Sequence, residues 1–284
     1  MKKGGAAKLF GLYRLVLWVS QKIWIFLTAG DDVSTESESV TVFAAVANSN
    51  RFLASVKSTC QEESIPLQHV YNMDETPVWF DMPMKRTIEK VGCKSVAALT
   101  TGNYRKRFTV VLCCSTDGTK LPPAIIGKDF AGRQDESLES SVTVYSQKGS
   151  SMTTELMVKW LQDIYLPHIN QKKSLLILDS FAGHKAHKVM DYVKDRARTL
   201  QTRFIPPGFT AECQPLDISA NKSFKIAIRK RYREWISQDD LSTTRTGNLR
   251  KPSLGIIAKW VRDAWDSVPA SAIRNGFRKA RLIG

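Results

Sequence analysis

His69-Val70-Tyr71-Asn72-Met73-Asp74-Glu75-Thr76-Pro77-Val78-Trp79-Phe80 sets an apolar run against an acid, then turns apolar again beyond a proline. A second stretch repeats the pattern more plainly. Leu175-Leu176-Ile177-Leu178 runs straight into Asp179, followed by Ser180-Phe181. Apolar residues closed by an acid read as a buried strand that holds a carboxylate at its C-terminal end. Asp74 is expected at a strand end of the same kind. A third acid, Asp217 in Gln214-Pro215-Leu216-Asp217, stands where a long amphipathic segment begins. Two strand ends and a helix start that deliver carboxylates imply a magnesium site for phosphoryl transfer on nucleic acid.

The chemistry explains why acids would be gathered this way. Breaking or transferring a phosphodiester needs an activated water or hydroxyl and a stabilised leaving oxygen, which two divalent ions about 4 Å apart provide. Magnesium prefers hard oxygen ligands and keeps several waters, so a few carboxylates suffice, and a sheet holds them rigidly. Each aspartate alone reads equally well as a cap or turn former. The arrangement of three is what favours the functional reading.

Charge points to the same class of partner. The 284 residues carry 42 Lys and Arg against 27 Asp and Glu, a net charge of +15. Such an excess fits a polyanionic partner, nucleic acid before membrane. A hydrophobic fraction of 43% with seven Trp describes a folded chain rather than a disordered one. The five cysteines (Cys60, Cys93, Cys113, Cys114 and Cys213) form no CxxC pair. They read as reduced thiols, with no zinc site. Leu9 to Thr28 is apolar but interrupted by Arg14, Gln21 and Lys22. It reads as a helix outside the membrane rather than a bilayer span or a signal peptide.

Residues 1–40 form an atypical N-terminal segment that ends in an acidic linker over residues 30–39, and residues 41–284 form one catalytic domain with C-terminal helices. Val40 to Glu62 has helical period, with Val42, Ala45, Val46, Phe52 and Val56 as core positions. Strands are expected at Thr87–Val91, Val96–Thr100, Arg107–Cys114 and Leu121–Ile126, then a loop over residues 127–150. Glu155 to His168 is helical. A further helix uses Val189, Val193, Ala197 and Leu200, with a short strand at Arg203–Ile205. Residues 218–236 form the helix after Asp217, and a C-terminal helix packs Ile257, Trp260, Val261, Ala264 and Trp265. Strands first, then alternating helix and strand, describe an α/β fold with a mixed sheet flanked by helices.

On the helix after Asp217, Lys222, Lys225, Arg229 and Arg233 recur at steps of three, four and four and so line one face. A charge stripe is usually a solvated surface. Starting this close to Asp217, it reads as a phosphate-contacting face. Glu75 points away from Asp74 on a strand and takes a supporting role. His184 could contact phosphate or the metal shell, and His187 likewise, although helix entry is the more common role for such residues. Gln214 packs or hydrogen-bonds near Asp217. Trp79 and Phe80 read as core.

The same residues resemble a known family. Tyr71-Asn72-Met73-Asp74-Glu75-Thr76-Pro77-Val78-Trp79-Phe80-Asp81-Met82-Pro83 is similar to the first catalytic block of the pogo/Tigger-type DDE superfamily endonuclease domain, whose relatives include centromere protein B and jerky-like proteins. Leu176-Ile177-Leu178-Asp179-Ser180-Phe181 with His184 resembles the second block. Gln214-Pro215-Leu216-Asp217-Ile218-Ser219 with Asn221-Lys222 and Phe224-Lys225 resembles the third. Supporting stretches are Arg107–Leu112, Asp117-Gly118-Thr119-Lys120-Leu121-Pro122-Pro123, and Trp265 with Val268-Pro269. The resemblance implies a ribonuclease H-like fold and metal-dependent DNA strand cleavage and transfer. Asp74, Asp179 and Asp217 would be both the catalytic acids and the ligands of Mg, with Mn as a substitute. It further implies DNA as partner with no small-molecule substrate, a nuclear location and a homodimer. Residues 1–40 do not resemble the tandem helix-turn-helix domains that precede this core in the family. The alternative is a domesticated or decayed, non-catalytic DNA-binding module.

Overall fold

The computed structural model describes residues 35–82, 100–128, 141–245 and 247–283. By contacts the chain divides into Met1–Thr41 and Val42–Gly284. The expected strands at Thr87–Val91 and Val96–Thr100 and the apolar segment Leu9–Thr28 lie outside the described residues, apart from Thr100, which is not in a strand. No described helix is long and apolar enough to cross a membrane.

The opening stretch forms β1 (Val70–Trp79), the strand on which the sheet is built. Alternating side chains send Val70 and Val78 to one face and Tyr71 and Met73 to the other, so both faces require cover. Along its whole length β1 pairs antiparallel with β2 (Arg107–Ser115), from Tyr71 opposite Ser115 to Trp79 opposite Arg107. On its other side β1 pairs parallel with β5 (Ser174–Leu178), but only over Val70–Asn72. Adding β3 (Ala124–Gly127), β4 (Thr143–Ser146) and β6 (Leu200–Phe204) gives a six-stranded mixed sheet in the order β4-β3-β2-β1-β5-β6.

Asp74 is therefore not at the end of its strand. β1 runs five residues further, to Trp79. What ends there is the neighbour. The parallel register, carried past Leu178, brings Asp179 level with Asp74, and beyond that point β1 keeps only β2 as partner. Pro77 is tolerated in β1 for the same reason, since a missing N–H costs little where one side of the strand is open. An opening made where a parallel strand stops is a usual place for a ligand site in an α/β sheet.

Helices cover both faces, and a short helix, α5 (Thr210–Cys213), follows β6. On one side Val110, Leu112, Leu175 and Ile177 pack against Phe224 and Ile228 of α6 (Asn221–Ile236), Val261 and Trp265 of α7 (Leu254–Asp266) and Phe277 of α8 (Ala270–Lys279). On the other, Val111, Leu176 and Leu178 meet Met157 and Trp160 of α2 (Thr154–Trp160) and Val189 and Val193 of α4 (His187–Arg196). Leu112, Leu175, Leu176 and Ile177 are fully buried, each contributing about 1.5–3 kcal/mol. α1 (Thr35–Glu62) adds Phe52 and Val56 to the first core. The side chains of Val42, Ala45 and Val46 lie outside the described residues.

Several elements depart from the sequence reading. α1 begins at Thr35, inside the stretch read as a linker, because the acidic residues there are good helix formers with no proline or glycine to stop them. β4 occupies Thr143–Ser146 within the expected loop. A four-residue parallel edge strand carries too few side chains to announce itself. The helix from Thr154 passes through a π-helical turn at Leu161–Tyr165 before α3 (Leu166–Ile169). α4 ends at Arg196, and Leu200 opens β6 instead of closing the helix, since Leu200 to Phe204 find hydrogen-bonding partners in β5. α8 is one of the expected C-terminal helices, but its residues were not placed by the sequence.

Two stretches distant in sequence meet on this framework. Lys120 Nζ donates to the backbone oxygens of Trp265, Asp266 and Val268 at 2.8–3.0 Å, placing a cation on the carbonyl end of α7. Trp265 Nε1 donates back to Leu121 O. Gly118, at φ +95°, makes this possible, because a Cβ there would stand 2.7 Å from that of Ala270. Cys60, Cys113, Cys114 and Cys213 are free thiols. Phe80 is buried as expected, whereas Trp79 is 42% exposed beneath the Arg107 guanidinium.

Candidate active site

Adjacent residues of a strand point to opposite faces, and at the opening beside β5 this separates the acids into two groups. Asp74 faces α6. Its Oδ2 accepts from Asn221 Nδ2 at 2.6 Å, and the same amide donates to Asp217 Oδ1 at 2.8 Å. One neutral side chain is thus shared by two carboxylates. Burial, and then the charge of Asp217, pushes the Asp74 carboxyl up to about 7 against the hydrogen bonds it accepts. Two buried side-chain polar atoms among the described residues lack a partner, Thr76 Oγ1 and Asn221 Oδ1. Thr76 shares the Asp74 face of β1, so both belong to this half of the site.

Asp217 reaches this position through buried polar side chains. It sits in a π-helical turn, Leu216–Ala220, that leads into α6. Asn72, fully buried on β1, accepts from Leu216 N at 3.1 Å and donates to Ile177 O and to Gln214 Oε1. Gln214 Nε2 donates to Met73 O at 3.2 Å. A buried amide pair of this kind is costly unless fully satisfied, and satisfied it fixes one geometry. From the other side α8 seals the turn. A Cβ on Gly276 would stand 2.5 Å from Pro215 O, so only glycine lets α8 approach this closely.

Glu75 faces α4, and here a histidine supplies the partner. His184 Nε2 lies 2.9 Å from Glu75 Oε1, and Nδ1 lies 2.7 Å from Asp179 Oδ1. The imidazole is 3% exposed. Burial opposes its charge, but the two carboxylates outweigh burial and lift it to about 9. The Asp179 carboxyl is correspondingly held low: burial would raise it, and the contact with His184 overrides that. This half carries its own counter-ion.

The fold therefore brings Asp74 and Asp217 together and sets Asp179 level with them, but turned to His184. Among the described residues no three His, Cys, Asp or Glu side chains form one group able to hold a metal ion. Asp74 and Asp217, with an orphaned oxygen beside them, suit a hard cation. Asp179 meets His184 through Oδ1, so a cation held by all three acids would share this carboxylate with the imidazole.

Lys222, Arg229 and Arg233 lie exposed on α6 and Lys225 is half-buried. Asn221, one position before Lys222 and four before Lys225, faces the acids, so the stripe starts at the site. His184 is buried in the acid network rather than offered to solvent. His187 opens α4. Gln214 does hydrogen-bond beside Asp217, as expected. Sequence reading missed Asn72 and Asn221. The available signal was an amide close to each acid, Asn72 two residues before Asp74 and Asn221 four residues after Asp217.

A six-stranded mixed sheet in the order β4-β3-β2-β1-β5-β6 with helices on both faces is a ribonuclease H-like fold. The solved Mos1 transposase paired-end complex with left transposon end shares it, with a TM-score of 0.54 at 11% identity over 92% of this chain and 63% of that one. So does the Mos1 mariner paired end complex with Mn, at 0.51 and 12%, over 92% and 64%. Residues 105–277 match the DDE superfamily endonuclease family, and the chain belongs to it. The match includes Asp179 and Asp217 and begins after Asp74. Pogo transposable element with KRAB domain from Homo sapiens is 31% identical over 216 residues, 74% of this chain and 35% of that protein. Jerky protein homolog from Homo sapiens is 23% identical over 260 residues, 87% and 42%. The chain thus spans well under half the length of these relatives.

Proposed function

We propose that the chain binds DNA in the nucleus and cuts and joins its strands, with Asp74, Asp179 and Asp217 holding a divalent cation, Mg or Mn. The observation that carries this is the amide shared by Asp74 and Asp217, with the Asp74 carboxyl pushed up to about 7. Two carboxylates held this close repel each other, which makes them a poor structural choice and a good ligand pair. A divalent cation bound there would polarise a phosphodiester oxygen and acidify a water. The chain's own part is to orient the two acids through Asn221 and Asn72, and to draw the DNA backbone along Lys222, Lys225, Arg229 and Arg233. The net charge of +15 and the Mos1 complexes with a transposon end and with Mn support the same reading.

Supercoiled plasmid incubated with the purified protein and Mg or Mn should be nicked. Asp74→Asn and Asp217→Asn should each reduce nicking by at least about 100-fold, the upper end of what even an outer-shell change costs a metal site. Nicking that survives Asp179→Asn removes that residue from the triad. The second reading, DNA binding without catalysis, is favoured by the engagement of Asp179 with His184. Plasmid binding without nicking by the wild type would select it.

A further inference from the structure

The turn between Asp179 and His184 presents an aromatic ring that neither core uses. Phe181 is 45% exposed, one of the few large apolar side chains at the described surface. Nevertheless it is held in place. Phe181 N donates to Asp179 Oδ1 at 3.2 Å, His184 N donates to Phe181 O at 3.1 Å, and the ring meets the His184 imidazole edge-on at 5.4 Å. Ser180 Oγ, bonded to Ile205 O, ties down the preceding residue. Gly183 leaves the ring its space, since a Cβ there would stand 2.8 Å from Phe181 Cε1. Beside it Lys185 Nζ lies 2.9 Å from Ser180 Oγ. A single exposed apolar side chain is ordinary; what sets this ring apart is that it is held in one place two residues from a candidate catalytic acid, with Lys185 fixed nearby on Ser180 and over the Phe204 ring at 5.4 Å.

We infer that Phe181 is a base-stacking platform, taking an unpaired nucleobase next to the phosphodiester presented to Asp74 and Asp217. The inference rests on the DNA reading above and adds what that reading lacks, a contact to the base rather than to the backbone. Every nucleobase has a π-face, so stacking of this kind tolerates any sequence, and Lys185 supplies charge for the adjoining phosphate.

The test uses metal-free protein and a short fluorescent duplex carrying one bulged nucleotide, against the same duplex with an abasic site at the bulge. In anisotropy titrations the wild type should prefer the base-containing duplex by about tenfold, within the range that alanine substitution gives for one stacked base. Phe181→Ala should abolish the preference while binding the abasic duplex as the wild type does. Phe181→Trp should keep it, and Gly183→Ala should weaken it by displacing the ring. A preference that persists in Phe181→Ala, or a wild type indifferent to the base, overturns the stacking role and leaves DNA binding intact. No binding of either duplex at low salt overturns both.

Discussion

Asp74 and Glu75 are neighbours in sequence and opposites in environment. The Asp74 half, with Asp217 and Asn221, holds two acids with no cationic side chain between them among the described residues, and burial together with the charge of Asp217 lifts the Asp74 carboxyl to about 7. The Glu75 half, with His184 and Asp179, holds two acids about a buried imidazole lifted to about 9. One is complete as folded. The other has no positively charged side chain between its acids among the described residues. A single peptide step produces this difference because a strand sends alternate side chains to opposite faces. An acid count taken from sequence therefore does not give the charge balance of a site.

The largest effect on stability should come from breaking the complete half. His184→Gln leaves Glu75 and Asp179 without their counter-ion. It should destabilise the protein at pH 6 by about 2–3 kcal/mol, below the full cost of breaking a buried pair because Asp179 is 37% exposed. The pH dependence follows from the raised pKa. Stability from protonated His184 is fully present below the ordinary value of 6.5 and is lost as pH rises through about 9. Urea melts at pH 6 and pH 9.5 should show the penalty shrinking. An equal penalty at both would mean that the imidazole is not charged.

The incomplete half should respond in the opposite direction. Asp217→Asn removes the like charge facing Asp74. It should raise the stability of metal-free protein by about 1–2 kcal/mol at pH 8, with no gain at pH 5, where Asp74 is already protonated. The sign is fixed by a folded-state value of about 7 against 3.8. Asp74 then takes up a proton on folding, so its contribution to stability falls as pH rises from about 4 to about 7. Saturating Mg should erase the advantage of the variant. A variant no more stable than the wild type at pH 8 would mean that the pair does not repel.

The smallest effect belongs to the basic stripe beside the incomplete half. Lys225→Gln with Arg229→Gln should leave stability unchanged and lower the log–log salt slope of DNA binding by about 2, one for each lost phosphate contact. An unchanged slope would place the DNA on another face.

Much of this was legible in the chain. Leu175 to Leu178 could hardly be anything but a buried strand, and periodicity disclosed α6 and α7 because long amphipathic helices repeat their pattern. β4 was not, being four residues long, and α8, expected only as one of the C-terminal helices, could not be placed because it is short and rich in polar residues. Of the site, the three aspartates stood out, since an acid after apolar residues breaks a pattern. Asn72 and Asn221 did not, because an amide becomes informative only once its partners, 142 residues away for Asn72 and Gln214 and 147 for Asn221 and Asp74, are known.

The sequence by itself determined that this chain builds a mixed α/β sheet, carries a strong positive charge and delivers three acids to its core strands and one helix start. Hydrophobic patterning and charge are local quantities and can be read along a line. Only the tertiary structure decided that β5 stops level with Asp74, that Asn221 joins two of the acids, and that the third is turned to a buried histidine. Those outcomes depend on register and on which face each side chain takes, and a shift of one residue would reverse them all.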